Sequence, residues 1–326
     1  MQKGFYMPIF FHILNHNITP IFILITLGFI LSKKFTLDIP SLSKLLFYLL
    51  VPSFIFVNLY EAILKIEMLK IFFCGVLLLI ANDILGRIVS QIRNYDVGMK
   101  NAFKNSIMFN NSGNIGLSLI ILIFSSAPFV VEGKTPYLDE AITAQLMILV
   151  LQNISSNTIG FFNAGRATMT VKDSLLRVFA MPSIYAIPIV FILKHFEFDM
   201  IQTALWPALV YLKNGLVPIS LLTLGAQLAK TTFDFKSVDV HLSVFTRLII
   251  GPILAGFFIY IMGFHGVVAQ TIFIAYSVPT AVNTALIAVE CESCQDFASQ
   301  AVMVSTIFSA VTLTLAIYLA RIIFPF

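Results

Sequence analysis

Long apolar runs alternate with short polar intervals along the whole chain. A helix needs about 20 mainly apolar residues to cross the hydrocarbon of a bilayer. Ten runs of that kind stand between charges, glycines and prolines, at approximately 17–33, 42–60, 67–89, 100–125, 139–163, 174–194, 203–229, 239–262, 265–289 and 297–322. Each predicts a transmembrane helix, and together they predict an all-α integral membrane protein. The N-terminal stretch has no basic region ahead of a short apolar core and no small-residue cleavage site. It is therefore expected to lead into the first helix rather than to act as a cleaved signal.

Composition sharpens this picture. Of 326 residues, 59% are hydrophobic and 11% charged, against roughly 45–50% and about 25% in soluble domains. That excludes a soluble globule, a disordered chain and a disulfide-built secreted module. The formal charge of +4 records which loops face the cytoplasm, and nucleic acid is not implied as a partner. Among the three cysteines the close pair Cys291-Glu-Ser-Cys294 lacks the second pair or the histidines of a structural zinc site, so neither metal nor cofactor is expected. Lys33, Lys34, Lys44, Arg87, Arg93, Lys100, Lys104, Arg166, Lys172, Arg177, Lys230, Lys236 and Arg247 fall on one side of the ten spans. Lys3, Lys65, Lys70, Lys134, Lys194 and Arg321 fall on the other. Basic loops are retained in the cytoplasm, so both termini are expected outside a cytoplasmic (inner or plasma) membrane.

The halves resemble each other. Leu50-Val51-Pro52-Ser53 recurs as Leu216-Val217-Pro218-Ile219, displaced by about half the chain, and Pro182 and Pro188 fall near the place where that displacement puts Pro20. Residues 1–163 and 164–326 would each hold five spans. An odd number inverts the second half relative to the first, as in secondary transporters.

Two runs carry polar residues at membrane depth. The fourth contains Asn110-Asn111-Ser112-Gly113-Asn114-Ile115-Gly116-Leu117-Ser118, and the ninth Tyr276-Ser277-Val278-Pro279-Thr280-Ala281-Val282-Asn283-Thr284. Gly weakens a helix, Pro removes one of its hydrogen bonds, and exposed backbone is costly in lipid. Both runs predict broken helices crossing at the midplane, whose half-helix N-termini suit an anion such as a carboxylate. The alternative is that these residues only pack helices together. Other candidates have two readings each. Asp83 and Arg87, one turn apart beside Asn82, form either part of a site or an interfacial pair. Gln152, Asn153, Ser155, Ser156 and Asn157 either face an aqueous cavity or glue helices. Lys213 either balances an anionic substrate or snorkels to the surface.

These residues resemble the auxin efflux carrier family, which includes plant auxin exporters and bacterial malate and malonate transporters, over about residues 18–322. The blocks are Ile80-Ala81-Asn82-Asp83-Ile84-Leu85-Gly86-Arg87, Met147-Ile148-Leu149-Val150-Leu151-Gln152, Met181-Pro182-Ser183-Ile184-Tyr185-Ala186 and Leu224-Gly225-Ala226-Gln227-Leu228-Ala229. The resemblance implies ten helices in two inverted five-helix repeats, with helices 4 and 9 broken and crossed as in the sodium/bile-acid symporter fold. A scaffold domain and an elevator-like transport domain would each draw on both repeats. By position, Asn111 corresponds to the family's substrate-touching crossover Asn, and Asp83, Arg87 and Gln152 to its supporting polar cluster, with Asp83 as the candidate proton carrier. The family usually has Pro in both crossover helices where this chain has Ser118 and Asn283. Either can still disturb a helix by competing for backbone hydrogen bonds.

The expected function is secondary or facilitative transport of a small organic anion, such as malonate, malate or an auxin-like acid. Its site would draw on Asn110, Asn111, Ser112, Asn114, Gln152, Pro279, Thr280, Asn283 and Lys213. The partners are that anion, the lipid bilayer and, as a candidate assembly, a second copy in a homodimer. No Gly-x-x-x-x-Gly-Lys-Ser/Thr loop is present, so the energy would come from gradients. A bile-acid-type sodium symporter is the alternative, although acidic ligands for sodium are scarce. A receptor or passive channel would use the same cavity. An intramembrane serine protease built on Ser112-Gly113 would need a His at membrane depth, which His241 and His265 do not provide.

Overall fold

The computed structural model describes residues 11, 13–61, 67–165, 182–230 and 236–325. Met181 of the third family block and Lys3, Lys65, Arg166, Lys172 and Arg177 of the charge pattern lie outside these residues. Among the described residues the regular structure is helical, apart from two isolated β-bridges. In chain order the helices are α1 (Leu14–Lys34), α2 (Ile39–Glu61) and α3 (Glu67–Ile92). Then come α4 (Val97–Met108), α5 (Ser112–Phe124), α6 (138–164) and α7 (Pro182–His195). The last five are α8 (Leu205–Leu228), α9 (Val238–Met262), α10 (Gly266–Ala275), α11 (Val282–Glu290) and α12 (Gln295–Ile323).

Six of these are by themselves long and apolar enough to span a membrane: α1, α2, α3 from Met68, α8, α9 and α12. The protein is an integral membrane protein on that ground. The expected fourth and ninth runs differ from the rest. Each is two helices in series, α4 with α5 and α10 with α11, separated by a few unwound residues. The surface agrees with a lipid environment, because Leu69, Tyr211, Tyr260 and Val311 face outward while Gln145, Gln270, Thr280 and Arg247 are buried.

Proline shapes the long helices. Pro20, Pro52 and Pro252 each follow a π-turn, at Leu14–Ile18, Leu46–Leu50 and Thr246–Ile250. A proline ring clashes with the carbonyl four residues earlier and offers it no N–H, and widening that turn relieves both problems. The turn in α9 has a further effect, because it contains Arg247 and places its side chain inside the protein.

The helices pack in two groups. In one, α1 lies against α8, and α7 and α8 lie against α2. The α1–α8 crossing brings backbones together: a Cβ on Gly28 would fall 2.0 Å from the Leu222 carbonyl oxygen, and one on Gly225 would fall 1.9 Å from that of Ile25. Such close approach maximises dispersion contact where lipid supplies no hydrophobic drive. In the other group α3 packs on α4, α6 and α9, α6 on α10, and α12 on α9, α10 and α11. Leu46, Leu50, Val57 and Leu216 of the first group meet Leu117, Ile142, Leu146 and Leu149 of the second in one apolar cluster.

Candidate functional site

The two unwound segments meet. Asn110 and Thr280 form an antiparallel bridge, in which the Asn111 N–H donates to the Pro279 carbonyl (2.8 Å) and the Ala281 N–H to the Phe109 carbonyl (2.9 Å). Backbone groups freed by one break are therefore satisfied by the other, as a low-dielectric setting requires.

The C-terminal carbonyls of the half-helices are also taken. At the end of α4, the Asn105 carbonyl accepts the Phe109 N–H, that of Ser106 the Thr280 hydroxyl (2.9 Å), and that of Ile107 the Arg247 guanidinium (2.8 Å). At the end of α10, the Ala275 carbonyl accepts Asn110 Nδ2 (3.1 Å), while Arg247 donates to the carbonyls of Tyr276 and Val278. Arg247 is 0% exposed and ties the two broken helices to α9. Gln152 Oε1 accepts the Asn110 N–H (3.2 Å), and Gln145 Nε2 donates to the Ser112 carbonyl (2.8 Å) from the same helix, α6. Gly116 leaves room for that amide, since a Cβ there would sit 2.9 Å from Gln145 Nε2.

On the other side of the crossing, the N-terminal ends of α5 and α11 border a cavity of about 50 Å³. Asn111, Ser112, Gly113 and Asn114 line it from one break, Ala281, Val282 and Asn283 from the other, and Gln152, Asn153 and Ser156 from α6. Asn111 Oδ1 caps α5 by accepting the Asn114 N–H (3.3 Å), whereas its Nδ2 is buried without a hydrogen-bond partner. Asn110 Oδ1 and Gln152 Nε2, of residues lining the same cavity, are likewise buried without a partner. A second compartment of about 40 Å³ shares Gly113, Asn114, Asn153, Val282 and Asn283 with the first. Through Val282 and Gln227 it adjoins a third, about 410 Å³, which carries Lys230 and Asp296. A larger groove of about 720 Å³ on α9, α10 and α12 is apolar apart from Tyr260, His265 and Thr312 and does not include the crossing.

The sequence candidates thus separate. Asn110, Asn111, Ser112, Asn114, Gln152 and Asn283 come together at the small cavity, with Pro279 and Thr280 in the crossing itself. Ser118 bonds the Asn114 carbonyl (2.6 Å) and follows a π-turn over Ser112–Leu117, a local disturbance where the family has proline. Asp83 and Arg87 do not line the cavity. Arg87 Nε lies 2.6 Å from Asp83 Oδ2, and Lys104 Nζ 2.5 Å from Asp83 Oδ1. The Arg87 side chain is 59% exposed and that of Lys104 only 7%, so the inner partner of Asp83 is the lysine. Lys213 is also away from the cavity and pairs with Glu61 at 3.3 Å.

Two basic residues counted above as cytoplasmic loop charges are corrected here. Lys104 and Arg247 are buried within helices, so they say nothing about orientation. Arg247 was missed as a crossover residue because its span reads as an ordinary apolar helix with a basic residue near one end. The available signal was Pro252, which displaces the turn before it. Asn153 and Ser156 belong to the polar run already seen in α6. Phe47, the wall contributed by α2, carries no polar signal.

Residues 166–317 match a family model described as membrane transport protein. The chain is 26% identical over 309 residues to an uncharacterized transporter of Methanothermobacter thermautotrophicus, spanning 92% of this chain and 96% of the relative. Both comparisons point to a transporter, not an enzyme. Over residues 166–317 the chain is similar to membrane transport proteins, and the membrane-spanning helices, the family match and the relative together make it a membrane transporter.

Proposed function

We propose that this transporter carries a small organic anion by alternating access, with its site at the crossing of the two broken helices. The observation that carries the reading is the buried, unpartnered Asn111 Nδ2 at a cavity bordered by two helix N-termini. Each terminus has about half a positive charge, and α6 contributes amides rather than acids, so a carboxylate is the fitting guest. The compartments of about 50 and 40 Å³ favour a short aliphatic acid such as malonate or malate over an indole-bearing acid. No hydrogen-bond-competent acid faces this cavity among the described residues, which weighs against a bile-acid-type sodium cage here.

In this reading α4 with α5 and α10 with α11 are each one span, giving ten spans in two inverted repeats with both termini outside a cytoplasmic membrane. The α1–α2–α7–α8 group is the scaffold and the other group the moving part of an elevator. The chain of compartments leads toward Lys230 and Asp296, which is the proposed cytoplasmic side. Reporter fusions at residues 1 and 326 should both read as external, and a cytoplasmic signal from either removes the ten-span topology.

The site itself is tested by thermal shift of purified protein against malonate, malate and indole-3-acetate, since a ligand that binds only the folded state raises its stability. Stabilisation by one acid that is lost in Asn111→Ala, with the apoprotein melting as before, is the expected result. An unchanged shift in the variant sinks the crossover site.

A further inference from the structure

The charges at the crossing are arranged in two opposed halves. Two helix C-termini, of α4 and α10, converge on one side and carry about half a negative charge each. The guanidinium of Arg247 lies against both, bonded to the carbonyls of Ile107, Tyr276 and Val278. Two helix N-termini, of α5 and α11, border the cavity on the other side. No carboxylate is paired with Arg247 among the described residues, and the titratable side chain that faces it is Tyr276. The carbonyls are therefore what compensates a fully buried cation.

We infer that Arg247 is the resident cation of the crossing: it neutralises the two C-terminal ends, occupies the carbonyls that a mobile cation would need, and acts as built-in counter-charge for an anion held at the N-terminal ends. It is a positioning residue, since backbone lies between it and the cavity. The planar guanidinium suits the task because its donors diverge in one plane and reach carbonyls of separate segments, which an ammonium cannot do as completely. The charge-balancing part stands on geometry alone, and the counter-charge part rests on the anion-carrier reading above.

Melting temperatures of the purified, ligand-free protein test the first part. Arg247→Met keeps the bulk and removes the charge, while Arg247→Lys keeps the charge with fewer bonds. A resident cation predicts the order wild type, Lys variant, Met variant, from most to least stable. A packing role predicts the reverse for the two variants, because an uncompensated buried ammonium is worse than a thioether. A Met variant as stable as the Lys variant, or more so, overturns the inference.

Arg247→His guards against misfolding of both, because the charge is switched in one protein. Compared with wild type at the same pH, it should be more stable at about pH 5.5 than at about pH 8.5. At the lower pH the imidazole can carry the charge that the carbonyl ends hold, and at the higher pH it is neutral, so stability gained from that charge is present at about pH 5.5 and lost by about pH 8.5. A flat or opposite profile overturns the inference.

The second part is read by competition of malonate and its uncharged diamide for the site. Arg247→Met should weaken malonate about tenfold more than the diamide, with most of that difference restored in Arg247→Lys; equal losses for both compounds overturn it. Wild-type protein that binds none of malonate, malate or indole-3-acetate instead defeats the anion-carrier reading, while the melting order still decides the role of the arginine.

Discussion

Helices cross at close range in two places, by opposite means. Where α1 meets α8, glycines let intact helices touch backbone to backbone, and shape alone makes the contact. Where α4–α5 meets α10–α11, the helices are unwound, and hydrogen bonds from backbone, amides, hydroxyls and one guanidinium make it. The first crossing puts backbone against backbone at Gly28 and Gly225. The second leaves a cavity and a buried donor. A membrane protein thus has one way to fix helices together and another to build a polar site between them, and only the second consumes the backbone's hydrogen-bonding groups.

The largest effect should come from filling the tight crossing. Gly225→Leu places atoms within about 2 Å of the Ile25 carbonyl, and no rotamer avoids backbone. Loss of folded protein from the membrane, read by fluorescence-detected size exclusion, is expected; normal recovery would mean that α1 and α8 do not touch. Next is Asp83→Asn, which strips the buried Lys104 of its counter-charge. Breaking such a pair costs about 3 kcal/mol, discounted here because the Asp83 side chain is 18% exposed. Adding Lys104→Met should recover most of the lost melting temperature, and failure to do so would give Asp83 a task beyond that pair. Gln145→Leu comes third. Losing the bond from Gln145 Nε2 to the Ser112 carbonyl should cost about 1 kcal/mol and weaken ligand binding with it, and a variant that binds normally would show that α5 needs no tether. Lys213→Ala should be smallest, within about 0.5 kcal/mol, with transport unchanged. A transport defect there would bring back the idea that Lys213 balances the substrate.

What was legible in the chain follows this contrast. A break in a helix is announced by residues that helices in lipid avoid, so Asn110–Ser118 and Tyr276–Thr284 are readable as sites of unwinding, and the polar run of α6 as a face for a cavity or for helix packing. Partnerships between distant helices were not readable. Nothing in the spacing of Lys104 says that it reaches Asp83 on α3, and nothing around Lys213 says that Glu61 is its partner. Arg247 shows the limit most clearly. A basic residue near a helix end normally marks the membrane surface, and only the fold shows that the adjacent carbonyls belong to two other helices. Glycine is similarly silent: Gly28 and Gly225 read as ordinary members of apolar helices until their neighbours are known.

The bonds that hold the two unwound segments at Asn110 and Thr280 run from main chain to main chain. Those two bonds use no side chain of residues 111, 114 or 283, and the side-chain bonds around them come from Asn110, Thr280, Gln152 and Arg247. On the proposed carrier reading, residues 111, 114 and 283 can therefore be exchanged without removing those two bonds. For protein engineering, these three positions are where a library of substitutions should retune selectivity while leaving the architecture intact.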